Sequence, residues 1–172
     1  MPKSEIRKAG TRQAKADALF ERANELWDQG ELRSAFRLFL SAAKSGDTSA
    51  QVDLGYFYNN GIGMKPNVAA ALYWYKRAYR RKSRSAASNI GTIFRDQGDF
   101  KRALWWYERS VTLGNADANL EIAKIYLKRG AGEAARAIPY LQRTCSADPS
   151  DVTEASREEA QQVLKKLGKR CL

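Results

Sequence analysis

The chain has 172 residues, 44% of them hydrophobic, which is enough for one domain with a substantial core and too much for a disordered or fibrous protein. Thirty Lys and Arg against nineteen Asp and Glu give a formal charge of +11, so acidic partners are drawn toward it by salt-dependent forces. No histidine is present, which removes the commonest general base and the commonest metal ligand together and weighs against an enzyme.

No apolar run approaches the roughly 18 residues of a membrane span, and the polar start MPKSEIRKAGTRQAKAD lacks the apolar centre of a secretion signal. Cys145 and Cys171 are too few for a disulfide framework and lack the paired spacing of a zinc site. These features predict a cytoplasmic protein with no cofactor and no metal, and with Cys145 as a small core residue.

Residues 1–15 carry Lys3, Arg7, Lys8, Arg12 and Lys15 against Glu5 and read as a solvated basic lead-in, part of which continues the following helix backwards. From Ala16 the chain becomes periodic. Leu19, Phe20, Ala23, Leu26 and Trp27 mark one helix, stopped by Asp28-Gln29-Gly30. Leu32, Ala35, Phe36, Phe39, Ala42 and Ala43 mark the next, stopped by Ser45-Gly46-Asp47. This is a helix hairpin. A second runs from Thr48 to Lys82, with Leu54, Gly55 and Tyr58 before a long turn and Ala71, Leu72, Tyr75 and Ala78 after it. The turn holds Gly61, Gly63 and Pro66; a nucleotide-binding reading of those glycines fails because the segment before them is helical and the fingerprint is incomplete.

The third hairpin spans Ser83 to Gly114, broken at Asp96-Gln97-Gly98-Asp99. The fourth spans Ala116 to Ser146, broken at Gly130-Ala131-Gly132, with Pro139 expected about one turn into its second helix. Residues 147–172 predict an amphipathic end helix to about Leu167, capped by Ser150 or Asp151, followed by a basic tail.

Superposing the hairpins places Ala23, Gly55, Gly91 and Ala123 at one position of the first helix. In the second helix Ala35, Ala71, Ala103 and Ala137 coincide, followed four residues later by Phe39, Tyr75, Tyr107 and Leu141. A small residue lets two helices approach while the large one fills the hole beside it, so the recurrence is a packing code. The pattern resembles the tetratricopeptide repeat, and more narrowly its Sel-one-like relative, through Ala50-Gln51-Val52-Asp53-Leu54-Gly55-Tyr56-Phe57-Tyr58, the Gly61-Ile62-Gly63 turn, Ala71-Leu72-Tyr73-Trp74-Tyr75-Lys76-Arg77-Ala78 and Ala103-Leu104-Trp105-Trp106-Tyr107. The resemblance implies an all-α, right-handed α-solenoid of about four helix-turn-helix repeats over residues 16–146 with a C-terminal capping helix. It also implies a non-enzymatic scaffold for proteins or peptides, with the first helices lining a concave groove.

By that pattern the groove presents Asn24, Trp27, Tyr56, Asn59, Thr92, Arg95, Lys124 and Lys128. Aromatic anchors with cations at one end suit an acidic or amphipathic protein segment. A second candidate is the basic ridge of Arg77, Arg80, Arg81, Lys82 and Arg84. Together with Lys76 it places six cations and no acid at a helix end, where the macrodipole explains one or two of them. The alternative reading of the ridge is binding of nucleic acid or another polyanion, without a recognised nucleic-acid fold to accompany it. Of the paired aromatics, Trp106 is expected between helices and Trp105 partly exposed.

Overall fold

The computed structural model describes the backbone of residues 3–171 and, within it, the side chains of residues 10, 11, 13–130 and 132–171. Met1, Pro2 and Leu172, the extremes of the expected lead-in and tail, lie outside the described residues. The described residues form nine α-helices and no strand, in two compact units, residues 1–83 and 84–172.

The first unit contains α1 (Lys3–Asp28), α2 (Leu32–Ser45), α3 (Thr48–Asn60) and α4 (Val68–Tyr79). α1 pairs with α2, α2 with α3, and α3 with α4. The lead-in is thus helical from Lys3, continuing α1 backwards through Gly10. α2 ends at Gly46, which adopts φ 107°, and Asp47 then caps α3 by accepting from Ala50 N at 2.6 Å. Asn67 does the same for α4, accepting from Ala70 N at 3.0 Å. The core combines small and aromatic residues: Ala23, Ala35, Ala42, Ala43 and Ala50 let the helices close around Phe39, Leu54, Phe57 and Trp74. In the long turn, Gly61 adopts φ 65°, and a Cβ there would sit 2.6 Å from Pro66 Cδ. The turn is therefore built around glycine on two counts.

The second unit contains α5 (Arg84–Asp96), α6 (Phe100–Thr112), α7 (Asp117–Lys128), α8 (Ala131–Ser146) and α9 (Glu154–Lys166). The pairs are α5 with α6, α6 with α7, α7 with α8, and α9 on both α8 and α7. Ile90, Ile122, Ile125, Tyr107, Leu141 and Leu164 are fully buried in it. Asp99 caps α6 through Arg102 N at 2.9 Å.

The packing code holds in both units. A Cβ on Gly55 would meet the Tyr75 ring at 2.6 Å, and one on Gly91 would meet the Tyr107 ring at 2.8 Å. Such distances leave no room for a methyl group, so each ring lies directly on helix backbone.

Several sequence expectations need correction. Cys145 is half-buried and bonded to Cys171 across 26 residues, with Cα atoms 5.9 Å apart, so it is no free core thiol. The chain end returns to α8 because α9 packs back against it, and Gln142 Nε2 donates to Arg170 O at 3.2 Å beside the bond. The cap of α9 is Thr153, whose Oγ1 accepts from Ser156 N at 3.3 Å. Ser150 is instead held in a turn by Asp148, and Asp151 faces Arg84. α8 begins at Ala131, so Pro139 falls well inside it, on an exposed position.

Candidate partner-binding site

In the first unit, Asn24 and Trp27 lie one turn apart on α1, and Tyr56 and Asn59 one turn apart on α3. The Trp27 ring stands 6.0 Å from the Tyr56 ring, which is 42% exposed. Trp27 also meets Phe57 at 5.0 Å and Phe39 at 6.0 Å. It is therefore the outer wall of the aromatic core, while Tyr56 supplies the accessible face. Asn24 and Asn59 are half-buried beside them in sequence. Nearby on α3, Asp53 has its carboxyl pushed up to about 6 by burial and, secondarily, by the charge of Asp47.

The second unit brings Arg95, Lys124 and Lys128 together. With Asp96, Phe100, Glu121 and Ile125 they line a pocket of about 440 Å³. Arg95 forms an ion pair with Glu121 and another with Asp96 at 2.9 Å. Lys124 Nζ reaches Glu121 at 3.1 Å and Glu159 of α9 at 2.9 Å. Burial pulls the Lys124 ammonium down, but its bond to Glu159 and the charge of Glu121 outweigh that and raise it overall. Lys128 sits over the Phe100 ring at 5.6 Å. Thr92, the remaining groove residue of this unit, shares a hydrogen bond of 3.0 Å with Tyr107, whose hydroxyl burial pushes up to about 12. Thr92 thus orders the helix pair.

Sequence reasoning missed Glu121, Glu159 and Phe100. Glu121 and Lys124 are spaced as a one-turn ion pair on a helix, which was a usable signal. The contacts of Arg95 with Glu121 and of Lys124 with Glu159 span 26 and 35 residues, and no local pattern announces them.

The ridge resolves into cations with different duties. In the first unit, Arg77 Nη1 donates to the Tyr73 hydroxyl at 3.4 Å, and its guanidinium covers Trp74 at 5.6 Å. Arg81 lies against Gly46 at the end of α2, where helix carbonyls favour a cation. Arg80 and Lys82 are exposed and meet no acid among the described residues. Lys82 adopts φ 64°, the left-handed region, the sole non-glycine residue to do so among the described residues. Arg84 belongs to the second unit and works there as a clamp, donating to Gly114 O and to Asp151 Oδ1, the latter at 2.9 Å. It is not part of a free ridge, because it starts α5 and fastens that end to the loops before α7 and α9. Of the aromatic pairs, Trp74 is buried and Tyr73 is 57% exposed, while Trp105 is 46% exposed and Trp106 half-buried.

The Sel1 repeat family model matches residues 30–47 and 48–83, and a tetratricopeptide repeat model matches residues 88–152. The chain is a tetratricopeptide-like repeat protein, most like the Sel1-like branch. A sel1-like repeat-containing protein of Acanthamoeba polyphaga mimivirus is 27% identical over 86 residues, which cover 50% of this chain and 16% of that relative. The chain thus spans a small part of the relative's length. A Sel1 repeat protein from Oxalobacter formigenes superposes with a TM-score of 0.67 at 22% identity, covering 98% of this chain and 68% of that one. A protective antigen of uropathogenic Escherichia coli strains displaying an SLR fold superposes with a TM-score of 0.63 at 20% identity, covering 81% of this chain and 30% of the antigen. The fold is accordingly an all-α solenoid of repeats, a class whose members generally serve as protein–protein interaction scaffolds. Among the described residues no helix is long and apolar enough to cross a membrane.

Proposed function

We propose that the chain is a non-enzymatic scaffold that holds an acidic or amphipathic protein segment, using the groove side of its first helices and the basic end of α4. The observation that carries this reading is Lys82. By the repeat register it takes the place of Gly46 and Gly114, which adopt φ 107° and 87°. A lysine in that backbone costs roughly 1 kcal/mol relative to glycine. No carboxylate of the described residues offsets the cost, and Arg80 is exposed two residues away. A strained cation kept without an internal partner supports an external anionic one.

The ridge that remains is smaller than the sequence implied, since Arg77, Arg81 and Arg84 are engaged within their own units. A short acidic protein surface suits the outward Lys76, Arg80 and Lys82 better than a polynucleotide, which needs many phosphate contacts for affinity. The bonded cysteines support an oxidising compartment over the cytoplasmic one expected from free thiols.

The test is affinity capture with the protein and with an Arg80→Glu/Lys82→Glu variant, which spares Arg81 at the end of α2. The variant is expected to lose its acidic partners at least about ten-fold. Full retention of them would remove the ridge from the reading, and retardation of nucleic acid by the parent protein alone would transfer it to polyanion binding.

A further inference from the structure

In the second-unit pocket the cations expected to face a partner are already facing carboxylates. Glu121 pairs with Arg95 and with Lys124, and Glu159 takes the other side of the Lys124 ammonium at 2.9 Å. Both acids come from within the unit, one from α7 and one from the capping helix α9. Beneath them Phe100 and the fully buried Ile125 form an apolar floor, and Lys128 stands at the edge with no acid partner among the described residues. None of these charges is deeply buried: the side chains of Arg95, Glu121 and Lys124 are 32%, 23% and 39% exposed. Their pairs can therefore exchange with carboxylates arriving from outside, at little desolvation cost.

We infer that Glu121 and Glu159 occupy the seats of a partner's carboxylates, so that an acidic protein segment binds this pocket by displacing them from Arg95 and Lys124. The segment that fits has two acidic side chains flanking an apolar one, the acids meeting the cations and the apolar residue meeting Phe100. Lys128, which meets no acid among the described residues, meets the approaching charge first and needs no exchange of carboxylates. Internal carboxylates of this kind lower affinity for any single anion and favour a ligand that supplies both acids together, which is a device for selectivity. Displacing Glu159 also removes one tie between α9 and α7, so occupancy of the pocket is coupled to the hold of the capping helix.

The inference rests on the proposal that this groove takes an acidic segment, and the test separates the two. The probe is a short fluorescein-labelled peptide of repeated Glu-Leu-Glu triplets, titrated by anisotropy against the parent chain, Glu121→Gln, Glu159→Gln and, as a net-charge control, Glu108→Gln on the exposed side of α6. Glu121→Gln removes the acid that Arg95 and Lys124 share, leaving Asp96 on the one and Glu159 on the other, and is expected to bind about ten-fold tighter, Glu159→Gln about three-fold tighter, and Glu108→Gln within about two-fold of the parent. Binding by the parent with no tightening in Glu121→Gln would overturn the inference and leave the groove reading intact. Tightening of equal size in Glu108→Gln would also overturn it, since net charge would then account for the effect. No binding by any of the four would overturn both. Identical melting temperatures for the parent and Glu121→Gln are required for the comparison, and Glu159→Gln, on a different helix, provides an independent reading if they differ.

Discussion

In the first unit Tyr75 closes over Gly55 and in the second Tyr107 closes over Gly91, yet the two units treat charge in opposite ways. The first holds fifteen Lys and Arg against eight Asp and Glu, and Arg22 with Glu25 is the ion pair of its described residues. The second holds fifteen against eleven, and Arg84, Arg95, Arg102, Lys124 and Arg136 all reach a carboxylate. Its acids, moreover, connect elements far apart in sequence, and a disulfide closes the end of the unit. The difference teaches where each unit finds cohesion. Aromatic rings around small residues hold the first and leave Arg80 and Lys82 outward. The second spends much of its charge on itself.

The largest effect should come from removing the covalent closure that the second unit alone possesses. A bond across 26 residues restricts the unfolded chain by about 3.5 kcal/mol on the loop-closure argument. Cys145→Ser/Cys171→Ser should therefore lower the stability of the second unit by about that amount and leave the first unchanged. Amide hydrogen exchange resolves the two: protection in α7, α8 and α9 should fall, while α2 and α3 keep theirs. An equal fall in both units would mean that they unfold as one, and the comparison between them would lose its energetic meaning.

A smaller effect distinguishes them by pH. Asp53 in the first unit has its carboxyl raised from 3.8 to about 6, chiefly by burial. Between those two values the folded state binds the proton and the unfolded state has released it, so stability falls as pH rises from about 4 to about 6 and is flat beyond. Replacing Asp53 with Asn should abolish that slope and stabilise the protein near pH 7 by on the order of 2 kcal/mol, measurable by urea melts across the range. In the second unit the sign is reversed. Hydrogen bonds from Arg102 hold the Asp99 carboxyl below its usual value, and those from Ser150 do so for Asp148, so their contribution is present above the unfolded value and fades as pH drops. A wild-type melt that weakens steadily below pH 6, with no such rise in stability, would show that burial of Asp53 is relieved in solution.

The fold was legible in the sequence because the code that makes it is local and repeated. Gly91 and Tyr107 fall at matching positions of successive helices, and so do Gly55 and Tyr75, so the helices and their register followed from spacing alone. The groove cations were legible as residues but not as a site. Arg95 and Lys124 were read as facing a partner, whereas each faces a carboxylate that the tertiary fold supplies. Arg84 looked like the end of a cation run; the break at Ser83 puts it at the head of a different helix, where it fastens loops. The cysteines were misread because two thiols carry no spacing signal, and only the return of the chain end to α8 brings them together. The φ of Lys82 did leave a trace, since the register aligns it with Gly46 and Gly114.

That trace supports the smallest and most discriminating of these predictions. Lys82→Gly relieves a left-handed backbone and should raise the stability of the first unit by roughly 0.5–1 kcal/mol, with the gain confined to that unit. The same change removes one of the outward cations of α4 and should weaken binding of an acidic partner two- to five-fold, the more so at low salt. The two effects have opposite signs, which a structural role for the lysine cannot produce: a side chain kept for the fold would lose stability on removal. Lys82→Asn separates the contributions further, because asparagine tolerates positive φ better than lysine and carries no charge. It should recover part of the stability while binding no better than glycine. If instead Lys82→Gly gains stability and binds as before, the strained cation serves nothing that the ridge binds, and the first unit's unpaired charge reduces to a solvated surface.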